Sequence, residues 1–235
     1  VYRNEPKNLK SLSDSYIRYI YTDKGGDLWA CTFSRGLNKL SRETGTFIHY
    51  LHNPDDPNSI SHDEVSVVCE DREQNFWVGT LGGGLDKLDR ATGRFTHFRH
   101  NPDNPNSLNC DFIKTIFEDS KGRLWIGTSG GGLNELDRNS QVSGMFRHYT
   151  NTPGTPSGLN NNNVTCIYEN SNGILWIGTE GGGFSRFDPD KGFFLNGKPL
   201  HQLRGMCIHQ DCGGLGMALP DRAQYRDVEL MKGMG

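Results

Sequence analysis

The sequence predicts an all-β chain of about four β-propeller blades, four strands each, in a partial ring, followed by a short β/α fragment resembling the start of a TIM barrel. Three observations lead there. A Trp-centred unit recurs with a period of about 50 residues. Strand and turn signals alternate four times inside each period. Segments bearing two prolines separate one period from the next.

The unit is seen best at Phe76-Trp77-Val78-Gly79-Thr80-Leu81-Gly82-Gly83-Gly84-Leu85. It returns at Leu124 to Leu133 and at Leu175 to Phe184, and a worn copy runs from Leu28 to Leu37. All four tryptophans, Trp29, Trp77, Trp125 and Trp176, fall at one position of it, spaced 48, 48 and 51 residues apart. A position occupied by Trp in every unit reads as packing between neighbouring blades, since a large ring buries much area at little entropic cost. Ligand stacking by all four is the weaker alternative.

Each period breaks down in the same way. In the second, Val65-Ser66-Val67-Val68-Cys69 is a β-branched first strand. Asp71 to Asn75 is a tight turn, opened by Asp71 as its equivalents are by Asp23, Asp119 and Asn170. Asp and Asn side chains bond nearby backbone and so suit a turn start. Gly26, Gly122 and Gly173 occupy the turn position held here by Gln74. Phe76 to Thr80 is the second strand. Gly82-Gly83-Gly84 is a hairpin open to positive φ, with Gly83, Gly131 and Gly182 its repeated centre. Leu85 to Leu88 and Phe95 to Phe98 are the third and fourth strands.

Asn53-Pro54-Asp55-Asp56-Pro57-Asn58-Ser59-Ile60 and Asn101 to Leu108 are crossings between units, since proline cannot serve a central ladder. Asn151 to Leu159 is a looser version and explains the longer last spacing. Residues 1–12 align with the end of such a unit, so the chain opens in the tail of a preceding blade. The expected division is a blade tail at 1–12 and blades at about 13–60, 61–108, 109–159 and 160–192, with a different unit at 193–235. A β-solenoid with long rungs is the competing architecture.

Composition excludes some functions. The chain has 25 basic and 28 acidic residues, which gives no electrostatic footprint for nucleic acid. No run of 18 apolar residues is present, so no membrane span is expected. No signal peptide is visible. The six cysteines, at 31, 69, 110, 166, 207 and 212, make no CxxC pair, so neither a metal site nor a disulfide framework is expected. No cofactor is expected.

The pattern Asp-x-x-Gly-x-Leu-Trp-Ile-Gly-Thr-x-x-Gly-Gly-Leu, carried most fully by Asp119, Gly122, Leu124 to Thr128 and Gly131 to Leu133, resembles the two-component regulator propeller repeat. The crossing Asn-Pro-x-x-Pro-Asn-Ser-Leu belongs to the same resemblance, which covers about residues 1–190. The first copy departs from it at Ala30, Cys31 and Phe33 to Arg35, so a less regular hairpin is expected there. The resemblance implies the sensor part of a large hybrid histidine kinase of gut-type bacteria. It implies a periplasmic location and recognition of breakdown products of complex glycans. The implied partners are an oligosaccharide, further blades and downstream kinase domains. Four blades leave inter-blade faces open, so self-association is also expected.

After Gly192 the pattern stops, where a fourth strand of type Phe-x-x-Tyr would follow. Asn196-Gly197 signals a hairpin, Leu203 to Ile208 a buried strand, and Asp221 to Met234 a helix opened by a capping-box-like Asp221 and Gln224. Phe194-Leu195-Asn196-Gly197-Lys198-Pro199, Arg204-Gly205, His209-Gln210-Asp211 and Asp221-Arg222-Ala223 resemble the start of the glycoside hydrolase family 2 barrel, the β-galactosidase and β-glucuronidase group. The resemblance implies that His209, Asp211 and Arg204 bind substrate, His209 lining the sugar subsite at the end of the first barrel strand. A polar strand end without substrate is the competing reading. That family's acid/base and nucleophile carboxylates lie downstream of this motif, and Glu229, on the outward helix, cannot substitute. Hydrolysis by this chain alone is therefore not expected. Three functions follow: a glycan-sensing propeller fragment, a family 2 glycosidase fragment with a propeller appendage, and a chimera of two neighbouring genes.

Overall fold

The structure, a computed structural model, describes residues 1–138, 144–151 and 158–193. Sixteen strands lie within them, in four antiparallel sheets of four. Blade 1 holds β1 (Ile17–Thr22), β2 (Leu28–Thr32), β3 (Leu37–Ser41) and β4 (Thr46–Tyr50). Blade 2 holds β5 (Val65–Glu70), β6 (Phe76–Thr80), β7 (Leu85–Asp89) and β8 (Arg94–Phe98). Blade 3 holds β9 (Ile113–Glu118), β10 (Leu124–Thr128), β11 (Leu133–Leu136) and β12 (Phe146–Tyr149). Blade 4 holds β13 (Val164–Glu169), β14 (Leu175–Thr179), β15 (Gly183–Asp188) and β16 (Gly192–Phe193).

Each sheet keeps its strands in chain order, as short turns between antiparallel neighbours require. β1, β5, β9 and β13 pack one against the next. The first strand of each blade therefore borders the axis and the fourth looks outward. Position explains pattern. β6 and β10 are buried along their whole length, covered by a blade on either side, so they read as continuous runs without period-two alternation. β8, on the outside, alternates: Phe95 is buried between exposed Arg94 and Thr96.

The hydrophobic core is divided among the seams. Trp29, Cys31 and Leu37 of blade 1 pack with Val65, Val68, Phe76, Val78, Leu88 and Phe95 of blade 2. Val67, Trp77 and Leu85 pack with Ile113, Ile116, Leu124 and Ile126 of blade 3. Trp125 and Leu133 pack with Val164, Ile167, Leu175 and Ile177 of blade 4. The Trp29 ring lies 4.4 Å from that of Phe76, centroid to centroid. Each fully buried Trp contributes on the order of 4 kcal/mol, as an upper estimate from buried area.

The glycine inside the second strand sets the blade spacing. A Cβ on Gly127 would stand 2.6 Å from Thr115 Cγ2 and 2.6 Å from Val164 Cγ1 of the next inner strand. One on Gly79 would stand 2.6 Å from Ile113 Cγ2. No other residue lets the neighbouring blade approach so closely.

Two expectations need correction. The first-blade hairpin closes as the others do. Thr32 Oγ1 donates to the Gly36 carbonyl at 2.8 Å and accepts the Arg35 N–H at 3.0 Å. Thr80 does the same with Gly84 and Gly83, at 2.9 and 3.2 Å. The closure depends on the threonine and the last glycine, and both are retained in the first copy. The fourth blade also has the beginning of a fourth strand, since β16 pairs Phe193 with Phe187 and Gly192 with Asp188. Its sheet thus runs one residue past the boundary expected at 192. The β/α fragment expected at 193–235 lies, beyond Phe193, outside the described residues. No helix among the described residues is long and apolar enough to cross a membrane.

Candidate functional site

The ends of the blades differ in what they do. At the turn between first and second strands, the repeated Asp is a structural node. Asp71 is buried. Its Oδ1 accepts the Asn75 N–H at 2.8 Å. Its Oδ2 accepts the Trp77 Nε1–H at 2.8 Å and a guanidinium N–H from Arg138 of the next blade at 2.9 Å. Asp23 repeats this with Asp27 at 2.8 Å, Trp29 at 2.9 Å and Arg90 at 3.0 Å. Arg90 and Arg138 also reach Glu70 and Glu118, which end their own blades' inner strands, at 2.6 and 3.4 Å. Burial pushes the Asp23, Asp71 and Asp119 carboxyls up. The Trp and backbone hydrogen bonds and the arginine charges outweigh it and hold all three below the usual range.

The third seam is built differently. Asp119 holds Trp125 at 3.0 Å, but Pro189 stands where the next blade's arginine would be. Arg123 of the same turn binds Asp119 at 2.6 Å and reaches across to Asp190 at 3.1 Å. In blade 4, Asn170 Oδ1 accepts the Asn172 and Ile174 N–H groups, each at 3.0 Å. Trp176 there is half-buried against its own blade's Phe184, at 5.3 Å. These carboxylates are spent on holding blades together, which leaves them no free chemistry. The hairpin centres are likewise close approaches: a Cβ on Gly83 would meet Ser61 Oγ at 2.3 Å, on Gly131 Cys110 Cβ at 2.6 Å, and on Gly182 Thr179 Oγ1 at 2.7 Å.

The opposite end is a loop face around the axis. The residue entering each first strand lies beside the residue leaving the second. The N–H of Phe33 donates to Tyr16 at 3.0 Å, Leu81 to Glu64 at 2.9 Å, Ser129 to Phe112 at 2.8 Å and Glu180 to Asn163 at 2.9 Å. Bridges between Leu81 and Phe112 and between Ser129 and Asn163 carry backbone pairing from blade to blade. The rim is thus a rigid backbone arc whose geometry repeats while its side chains do not. Tyr16, Glu64, Phe112 and Asn163 share one position, and Phe33, Leu81, Ser129 and Glu180 the other. Tyr16 is 77%, Phe33 51% and Phe112 50% exposed. Beside them, His62 Nδ1 accepts the Glu64 N–H at 3.0 Å, which leaves Nε2 as the outward donor. His62 and Phe112 flank Gly82. Exposed rings beside hydrogen-bonding side chains on a fixed frame form a surface able to stack against flat apolar faces and bond hydroxyls.

Below the rim each innermost strand carries a β-bulge, between Ile17 and Tyr19, Val65 and Val67, Ile113 and Thr115, and Val164 and Cys166. The extra residues are Arg18, Ser66, Lys114 and Thr165.

Two further concavities lie at the crossings. One, of about 340 Å³, is lined by residues including His52, Asn53, Pro57, Ser59, His97 and Arg99. The other, of about 260 Å³, includes His100, Asn101, Pro105, Ser107 and His148. Their histidines fasten the loops: His52 and His100 bond the Ile60 and Leu108 carbonyls at 2.8 and 2.9 Å, and His97 and His148 those of Pro57 and Ser107 at 2.9 and 2.6 Å. The recurrence of both at one repeat position makes them part of the scaffold. Among the described residues no group of acids, cysteines and histidines could hold a metal ion. Cys31, Cys69, Cys110 and Cys166 are free. His209, Asp211 and Arg204 lie outside the described residues. The rim was not legible in the sequence. Its signal, an aromatic at a position that varies among otherwise matching repeats, becomes readable only once the strand bordering the axis is known.

Comparison with known proteins places these repeats. Residues 59–82, 107–130 and 158–181 match the family model described as Two component regulator propeller. The extracellular domain of the hybrid two component system BT3049 from B. thetaiotaomicron is 31% identical with a TM-score of 0.66, over 82% of this chain and 25% of that one. The corresponding domain of BT4673 from the same organism is 21% identical with a TM-score of 0.54, over 80% of this chain and 32% of that one, and shows the shared fold. A 48-residue segment, 20% of this chain, is 56% identical to a beta-glucuronidase of Bacteroides fragilis, of which it spans 7%. The chain thus spans a small part of the curated relative and about a third or less of these sensor domains. It carries two-component regulator propeller repeats, folded as in the extracellular sensor domains of Bacteroides hybrid two-component systems.

Proposed function

We propose that this chain is part of a periplasmic propeller sensor that recognises glycan-derived oligosaccharides and passes the signal to kinase domains. The observation that carries it is the loop-face rim: Tyr16, Phe33 and Phe112 are exposed on a backbone arc otherwise locked by repeated bonds. Exposed rings beside polar groups are what the apolar faces and hydroxyls of a sugar require. The likeness to extracellular domains of two-component systems supports the location and the signalling role.

The test is titration calorimetry of the chain against a panel of oligosaccharides from plant and host polysaccharides. Binding is expected for at least one, with Phe112→Ala and Tyr16→Ala each weakening it about tenfold, as truncation of an anchoring aromatic does. Absence of binding across the panel would overturn the reading.

A second reading is favoured by the 56% identity over 48 residues to the beta-glucuronidase. In it, residues 193–235 come from the opening of a family 2 glycosidase barrel, attached to the propeller in the protein or by the joining of two genes. Sequencing genomic DNA across codons 188–197 in a single clone separates these origins. No turnover of nitrophenyl glycosides is expected from the chain; turnover abolished by His209→Ala would show it to be an enzyme.

A further inference from the structure

The bulge recurs in all four innermost strands, but its occupants differ. Ser66 spends its hydroxyl on the Gly79 carbonyl at 3.0 Å. Arg18 and Lys114, in blades 1 and 3, are cations, and neither forms an ion pair among the described residues. Both are half-buried. The Arg18 guanidinium lies 4.4 Å over the Phe33 ring, and its Nε is buried with no hydrogen-bond partner. A buried donor left unpaired needs an explanation. The cation–π contact holds the guanidinium plane against the rim, and its N–H groups are suited to the oxygens of a carboxylate or sulfate. A bulge re-aims a side chain away from the ladder, and bulges concentrate beside functional sites. The carboxylates at this end stand on the loops and the rim positions and not at the bulges: Glu64 and Glu180 at the rim, and Asp14, Asp63 and Asp111 beside it, each accepting a backbone N–H, from Ser34, His52 and His100.

We propose that Arg18 and Lys114 form an anion-reading pair on the axis, and that the oligosaccharide recognised at the rim carries an acidic group, a uronate carboxylate or a sulfate ester. This rests on the glycan-sensing reading and narrows it. The aromatics hold the sugar ring, while the bulged cations select its charge. Such selection is electrostatic, so it weakens with salt, whereas stacking does not.

The experiment is calorimetry of the whole chain with three probes: hyaluronan oligosaccharides for carboxylate alone, chondroitin sulfate oligosaccharides for sulfate with carboxylate, and cello-oligosaccharides as the neutral arm. Tighter binding of at least one acidic probe is expected, falling with added salt. Arg18→Gln and Lys114→Gln should each weaken it roughly tenfold, and Lys114→Arg should restore most of what Lys114→Gln loses. Circular dichroism confirms that each variant is folded, and Lys114, which stacks on no ring, serves as the second variant should Arg18→Gln fail to fold. Preference for the carboxylate-only or the sulfated probe identifies the group. Binding of neutral probes as tightly as acidic ones, or acidic binding unchanged in the glutamine variants, overturns the anion pair and leaves the glycan reading standing. Failure of all three probes, with a broader panel also silent, overturns both.

Discussion

Asp71 joins more of the structure than any side chain near it, because its two oxygens serve a turn, a buried Trp and the neighbouring blade's arginine. Asp71→Asn leaves one oxygen for four donors, the Asn75 backbone and side-chain N–H groups, Trp77 and Arg138, and removes the charge facing Arg138. It is expected to destabilise the chain by about 2 kcal/mol, the range for a hydrogen bond to a charged group, seen as a lower urea midpoint. Because the folded carboxyls of Asp23, Asp71 and Asp119 sit below the ordinary value of 3.8, their contribution is fully present above that value. It is lost as pH falls through the depressed folded values.

His97 has the opposite sign. Its Nδ1 faces Asp86 Oδ1 at 2.7 Å and its Nε2 the Pro57 carbonyl at 2.9 Å, so only the imidazolium donates to both. The hydrogen bond to Asp86 raises its pKa above 6.5 against the opposing pull of burial and of Arg99. The clasp it makes on the 53–60 crossing is therefore complete below pH 6.5 and lost as pH rises through the raised value. The urea midpoint should fall as pH rises from 6.5 through the raised value, and His97→Asn should remove that part of the pH dependence. An unchanged slope in the variant would rule out the clasp.

At the scale of elements, one repeated turn contains its own control experiment. Gly26, Gly122 and Gly173 have positive φ, and Gln74, at the same position, holds φ 66°. A side chain in that region costs about 1–2 kcal/mol, partly offset by the entropy glycine loses on folding. Gln74→Gly is expected to stabilise blade 2 by about 0.5–1 kcal/mol, read as a higher Tm. In the second strand the direction reverses. Gly127→Ala sets a methyl into Thr115 and Val164 and is expected to cost about 1–3 kcal/mol, as overpacking does.

The strands and turns were legible because the repeat states them four times: Phe76–Thr80 emerges with the same bounds in sequence and structure. The glycine inside that strand was not read as a spacer, because its neighbours Ile113 and Val67 belong to elements whose packing the pattern cannot show. The Asp was read as a turn opener for the same reason. Its bond to Trp lies within the unit, but Arg138 comes from 67 residues away. The rim stayed hidden longest. Tyr16 and Phe112 look like irregularities of a repeat until the inner strands are known to border the axis.

Across the whole molecule, the seams show what a blade face needs and what blade 1 lacks. Val68, Ile116 and Ile167 occupy one inner-strand position in blades 2 to 4 and are 1%, 7% and 9% exposed, each covered by the preceding blade. Ile20 holds that position in blade 1 and is 45% exposed. Leu12, Ala30, Leu40 and Phe47 form a small core on the same blade, so the face is ordered and apolar but incompletely covered. A face of this kind is expected to favour association. The charged latch of the internal seams is weaker here, since Thr22 stands where Glu70, Glu118 and Glu169 stand in the other blades. Contacts made by this face are therefore apolar, and raising salt should not dissolve them, whereas a latch-driven contact would weaken. Sedimentation velocity of the chain is expected to show concentration-dependent association that persists at high salt. Ile20→Lys, which places a charge on the exposed position without touching the rim, should shift the distribution toward monomer. A monomer at every concentration would show that the face is satisfied within the chain itself, and association unchanged in Ile20→Lys would show that another surface makes the contact.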